Sequence, residues 1–221
     1  MATRSAPLRR SRSELLALGF TLAFTALGSR AHAGVCSPVT VGVDTSHSSG
    51  CFEFIIGAAY GQVFEARDTV LQAISVWRGD LRNITPLRIY VVELDSTGRP
   101  DVGRVLRAGP TLQYGSSDRP VQYRFVFDPP VILPRAGHYE FAVQPAPPYC
   151  DFGSCLLGDT RDPYPEGAAW KHRRSFPEFD CPLASVEPPT PVDDLIFEVE
   201  FCVAATPVRR SSWGSLKIRY R

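Results

Sequence analysis

The chain has 221 residues, with 24 basic and 23 acidic side chains and a formal charge of +1. Hydrophobic residues make up 44% of it, enough for one domain with a real core. Without a strong basic excess, nucleic-acid binding is not expected.

In chain order, the first segment reads as a secretory signal peptide, residues 1–33. Arg4, Arg9, Arg10 and Arg12 form a basic head, Leu15 to Leu27 an apolar stretch, and Ala31 and Ala33 frame a small-residue cleavage site before Gly34. The apolar stretch falls short of the roughly 20 residues that span a bilayer, and no later segment reaches that length, so no transmembrane segment is expected. Arg9-Arg10 lacks the apolar pair of a twin-arginine signal. Val35 before Cys36 does not fit a lipoprotein signal. The expected location is secreted, extracellular or attached to the cell surface.

Removal of residues 1–33 changes the formal charge to −3. The charge left is uneven. Residues 34–206 sum to −8, while the tail 207–221, "PVRRSSWGSLKIRYR", holds five basic residues and no acid. An acidic body lacks the basic face that nucleic acid requires, while the tail suits an acidic partner or anionic envelope polymer.

Six cysteines remain: Cys36, Cys51, Cys150, Cys155, Cys181 and Cys202. An even number in an exported chain reads as three disulfides. No paired C-x-x-C knuckles suggest zinc. The four-residue interval "DFGS" makes Cys150–Cys155 the expected staple. Cys36–Cys51 and Cys181–Cys202 complete one of the 15 pairings that six cysteines allow.

Strand-like runs then recur between turn signals: residues 39–43, 51–56, 62–66, 70–77, 87–94, 104–109, 121–127, 138–144 and 195–202. Tyr123, Phe125 and Phe127 share a face, as do Tyr139, Phe141 and Val143, while Phe197, Val199 and Phe201 oppose Ile196, Glu198 and Glu200. Period two at this repeat length predicts an all-β fold, an antiparallel β-sandwich of jelly-roll type over residues 34–206. In "DSTGRPD", Asp95 and Gly98 read as turn formers. Residues 145–193 are rich in proline and aspartate and form an excursion longer than an ordinary loop, expected to be ordered by a disulfide.

Three segments carry a resemblance: "LRIYVVELDSTGRPDVGRVLRAG", "QYRFVFDPPVILPRAGHYEFAV", and "DPYPEGAAW" with the later "DLIFEVEF". Together, over roughly residues 60–202, they resemble the jelly-roll accessory domains of bacterial extracellular proteins, similar to galactose-binding and carbohydrate-binding modules. The resemblance implies a β-sandwich and a carbohydrate-binding-like role. The tail also resembles short endings of exported bacterial proteins, implying sorting or anchoring.

Around the excursion, Tyr149, Phe152, Tyr164 and Trp170 lie close in sequence to Asp159, Arg161, Asp162 and Glu166. Flat aromatic rings cover the apolar face of a sugar while polar neighbours fix its hydroxyls. Tyr149, Phe152, Tyr164, Trp170, Asp159 and Asp162 are therefore the candidate ligand residues. Against this, Tyr164 and Trp170 equally suit a plug at the end of the sandwich. Trp77 sits on the strand face opposite Val76, suiting either exposure or packing under a loop. No cofactor is expected. Structural calcium is the metal that Asp151, Asp159, Asp162, Asp193 and Asp194 would suit, against ordinary solvated carboxylates.

His47, His138 and His172 fall in no H-E-x-x-H or nucleophile-elbow motif, and Asp193 and Asp194 are adjacent, so on a strand they diverge. The expectation is a non-catalytic binding protein for glycan or a cell-envelope polymer. The alternatives are a structural envelope or extracellular matrix component and, third, a glycan-active hydrolase.

Overall fold

A computed structural model describes residues 37–54, 58–79, 84–149, 154–173, 185–187 and 193–203. The signal segment, the basic tail, Cys36, Cys150, Phe152 and Cys181 lie outside these residues. Everything described belongs to one unit, Gly34–Arg221.

Among the described residues there are thirteen strands: β1 (Ser37–Val43), β2 (Gly50–Phe54), β3 (Ala58–Ala66), β4 (Val70–Arg78), β5 (Leu87–Leu94), β6 (Pro100–Leu112), β7 (Val121–Ile132), β8 (Gly137–Pro145), β9 (Ser154–Asp159), β10 (Ala169–Arg173), β11 (Ser185–Val186), β12 (Asp194–Leu195) and β13 (Phe197–Val203). A short 3-10 turn, Thr45–His47, follows β1. The strands form two sheets. The first runs β1-β13-β4-β9-β12, with β2 on β9 and β7 on β4; the second runs β11-β10-β3-β8-β5-β6. Pairing is antiparallel in both, and the sheets pack face to face as the alternation predicts.

Strand β7 shows why. Tyr123, Phe125 and Phe127 are buried, while Gln122, Arg124 and Val126, which alternate with them, are exposed. Phe197, Val199 and Phe201 on β13 face inward with Ile74 and Val76 on β4. Phe64 on β3 meets Phe141 at 6.1 Å and Phe201 at 6.2 Å between centroids, which joins the two sheets. Each such ring removes apolar area from water worth about 1.5–3 kcal/mol.

The second sheet departs from simple alternation. On β8, Tyr139, Phe141 and Val143 join the core as expected, yet Glu140, Ala142 and Gln144 are also buried. Ala59, Val92 and His172 share that burial, so the middle of this sheet is buried on both faces. The edge strand β6 is mostly half-buried or exposed and shifts register against β5 three times, as edges protected from further pairing do. At the turn between these strands, Asp95 Oδ1 accepts from Thr97 N at 2.8 Å and Arg99 N at 3.0 Å, while Gly98 adopts φ 81°. The "DSTG" turn reading holds.

Two readings of the excursion change. Its residues 154–159 and 169–173 are strands β9 and β10, one in each sheet. The staple is also different: Cys155 is bonded to Cys51, with a Cα–Cα separation of 5.6 Å, not to Cys150. Cys36 therefore cannot hold Cys51 either. The cause is the β2–β9 pairing, which sets Glu53 opposite Cys155 and Cys51 opposite Leu157, bringing the two sulfurs together diagonally across adjacent strands. Cys202 is also disulfide-bonded.

Candidate functional site

Of the residues singled out around the excursion, those described differ in placement: Tyr164, Trp170 and Asp159 are buried, Tyr149 and Asp162 exposed. Tyr164 is 6% exposed; its ring meets Phe197 edge-on at 5.2 Å and its hydroxyl accepts from Glu65 N at 3.0 Å. Trp170, 8% exposed, lies on β10 opposite Gly61. Tyr164 thus packs into the core between the sheets, whereas Trp170 is buried on the face of β10 opposite the core residue Ala169. Tyr149 is exposed beyond β8. Asp159, its side chain 1% exposed, is ion-paired with Arg161 at 2.5 Å, which holds its carboxyl down to about 2. Asp162 is exposed in a turn with φ 53°.

Asp194 is a strongly perturbed carboxyl. It is buried on β12, and burial raises it to about 7 against the lowering effect of the hydrogen bond from Gln62. Gln62 Nε2 on β3 donates to its Oδ1 at 2.7 Å, Tyr164 N donates to Oδ2 at 3.0 Å, and Gln62 Oε1 accepts from Leu195 N at 2.8 Å. Both oxygens are thus occupied in tying β12 of one sheet to β3 of the other. Asp159, Asp162 and Asp194 form no metal cage; among the described residues no group of three or more His, Cys, Asp or Glu is arranged to hold an ion.

A cavity of about 420 Å³ opens elsewhere, at the end of the first sheet. Residues 40–45 of β1 and its following turn, Trp77 at the end of β4, and Phe197 and Glu198 at the start of β13 line it. The register explains the gathering. Gly42 pairs with Glu198, which pairs with Ser75, which pairs with Arg124, forming one row across four strands. Trp77 lies two residues beyond Ser75 on the same outward side. A side chain at position 42 would overlap the Phe197 carbonyl, so glycine lets β1 lie close against β13 there.

The polar rim is built locally. Asp44 caps the 3-10 turn: its Oδ1 accepts from Ser46 N at 2.8 Å and from the Ser46 hydroxyl. Those bonds hold its carboxyl below the usual range, so it is ionised at neutral pH. Thr40 and Thr45 are exposed and Glu198 is half-buried. Behind the cavity, Phe197 is fixed by Phe141 at 5.6 Å and by Tyr164, so the plug formed by Tyr164 supports the wall of the cavity.

Further along the row, Arg124 is committed. Its Nε and Nη2 each donate to a carboxylate oxygen of Glu200 at 2.6 Å. The pair holds Glu200 below and Arg124 above their ordinary values.

No known protein family matches this chain, and no curated protein matches it at a significant level. The site must speak through its chemistry. A half-buried indole beside two hydroxyls and two carboxylates, in a cavity of the size small ligands occupy, can stack one face of a ring and hydrogen-bond its edge. Of these residues the sequence pointed only to Trp77, through strand alternation. Thr40, Asp44 and Thr45 are neighbours in the chain, but Glu198 lies over a hundred positions further on, and only the β1-β13-β4 order unites them with it and with Trp77.

Proposed function

We propose that this is a secreted or surface-associated, non-catalytic binding protein whose ligand is a glycan, held in the cavity between β1, β13 and the end of β4. The observation that carries this reading is the placement of Trp77 beside Thr40, Asp44, Thr45 and Glu198 around about 420 Å³ of open volume. The ring offers flat apolar area to a pyranose face, and the hydroxyls and carboxylates accept or share hydrogen bonds with sugar hydroxyls. The signal-like N-terminus and the cysteine pattern support export, and the resemblance to carbohydrate-binding β-sandwiches points to the same ligand class.

A second reading, a glycan-active hydrolase, is raised by Asp44 and Glu198 lining one cavity, since glycoside hydrolysis uses two carboxyl groups. Asp44 is poorly suited as proton donor because Ser46 holds it ionised. The test is a glycan array with the wild-type protein and Trp77→Ala. Binding of a glycan class that Trp77→Ala abolishes supports the reading. An array without signal favours the structural envelope role, and release of reducing ends from a bound polysaccharide would favour the hydrolase.

A further inference from the structure

Among the described residues the cavity lining contains two carboxylates, Asp44 and Glu198, and no lysine, arginine or histidine, with His47 in the adjacent turn close enough to act on Asp44. Asp44 remains ionised because Ser46 donates to it through both its N–H and its hydroxyl. Arg124 is the cation in the same strand row, and its Nε and Nη2 are spent on Glu200. Across Asp44, Glu198, Glu200 and Arg124 the balance is three negative charges against one positive. Trp77 forms another wall of the same space. An indole face attracts cations through its quadrupole, and a carboxylate beside it adds a charge-assisted hydrogen bond to an ammonium group. A uronate or sulfated sugar would instead meet like charge.

We infer that the cavity selects amine-bearing, cationic sugars: hexosamine units with a free amino group, over their N-acetylated and uronate counterparts. The inference rests on the glycan reading of this cavity and adds the sign of the ligand's charge. Acetylation removes the ammonium charge and the interaction with Glu198, while leaving the ring available to Trp77. Discrimination should therefore lie in the carboxylates and stacking in the indole.

Titration calorimetry with matched-length oligomers of glucosamine, N-acetylglucosamine and galacturonate separates these contributions. The glucosamine oligomer should bind about tenfold more tightly than the N-acetylated one, as one charge-assisted contact provides, and the galacturonate oligomer most weakly. Added salt should narrow the gap. Glu198→Gln should reduce the preference to about threefold or less while N-acetylglucosamine still binds. Glu166→Gln, which removes an exposed carboxylate outside the lining, should leave the preference intact and so rules out general attraction to an acidic protein. Equal or tighter binding of the N-acetylated or uronate oligomer, or a preference unchanged in Glu198→Gln, overturns the inference while the glycan reading stands. If none of the three oligomers and no arrayed glycan binds, the glycan reading fails, and the inference with it.

Discussion

Glu140 and His172 face each other with Oε1 and Nε2 2.7 Å apart, both side chains completely buried. They reach across β3, where Gly61 stands between β8 and β10; a side chain at 61 would overlap the Glu140 carboxylate. Burial raises the carboxyl of Glu140, and His172 offsets part of that by charge and hydrogen bond. The second oxygen, Oε2, has no hydrogen-bond partner among the described residues. Removing His172 leaves a buried carboxyl without its counterpart, so His172→Ala should cost about 3–5 kcal/mol by urea denaturation. Replacing both residues with leucine should cost much less than His172→Ala, since the polar requirement leaves with both partners. Equal losses in the two variants would contradict a coupled pair.

Gly61→Ala tests the same contact from the other side. The methyl group has no room unless Glu140 moves, and the Phe141 carbonyl also stands close, at 2.7 Å from where the methyl carbon would sit. Overpacking of this kind costs about 1–3 kcal/mol. A thermal melt of Gly61→Ala at the wild-type temperature would show that the sheet opens here more easily than the contact implies.

The Cys51–Cys155 bond spans 104 positions. Crosslinks closing loops of this length constrain the unfolded chain most, and losing a native disulfide typically costs about 2–5 kcal/mol. Cys51→Ala/Cys155→Ala should be destabilised by that amount. Non-reducing peptide mapping should recover a fragment linking Cys51 to Cys155. A fragment linking Cys150 to Cys155 would overturn the assignment.

Asp194 gives a pH signature. Its folded value of about 7 lies above the ordinary carboxyl value, so the folded chain keeps a proton that the unfolded chain has released. The stabilising contribution is complete below about pH 4 and is lost as the pH rises through about 7. Glu140 shifts in the same direction and adds to the trend. In Asp194→Asn the decline in denaturation free energy between about pH 5 and 7 should be shallower than in wild type. Parallel profiles would mean that Asp194 does not titrate in this range.

How much of this was legible beforehand differs from residue to residue. The core faces of β7 and β13 were readable because one side of each strand meets the opposite sheet and the other meets water, which writes period two into the sequence. Glu140, Gln62 and His172 were not, because local pattern assigns polar residues to the surface; here pairing and hydrogen bonds offset their burial. The Cys150–Cys155 expectation rested on short loop length, and the register of β2 on β9 decided otherwise. β9 and β10 were obscured by the prolines, glycines and acids around them. Trp77 was placed on its outward face by alternation, but its neighbours in the cavity depend on strand order, which no local pattern records.

The central claim is that the cavity walled by Trp77 is where this protein binds. The most direct measurement is the affinity of wild type and Trp77→Ala for the glycan that gives the strongest array signal, with Trp170→Phe as the control for a buried indole that does not line the cavity. Stacking on an aromatic ring contributes about 0.5–1.5 kcal/mol beyond the area it covers. Trp77→Ala should therefore weaken binding about tenfold or more; because the half-buried ring also packs against the core it should melt lower as well, and Trp170→Phe, melting lower while keeping wild-type affinity, separates lost stability from lost binding. A Trp77→Ala protein that binds as tightly as wild type would place the binding site elsewhere and contradict the account.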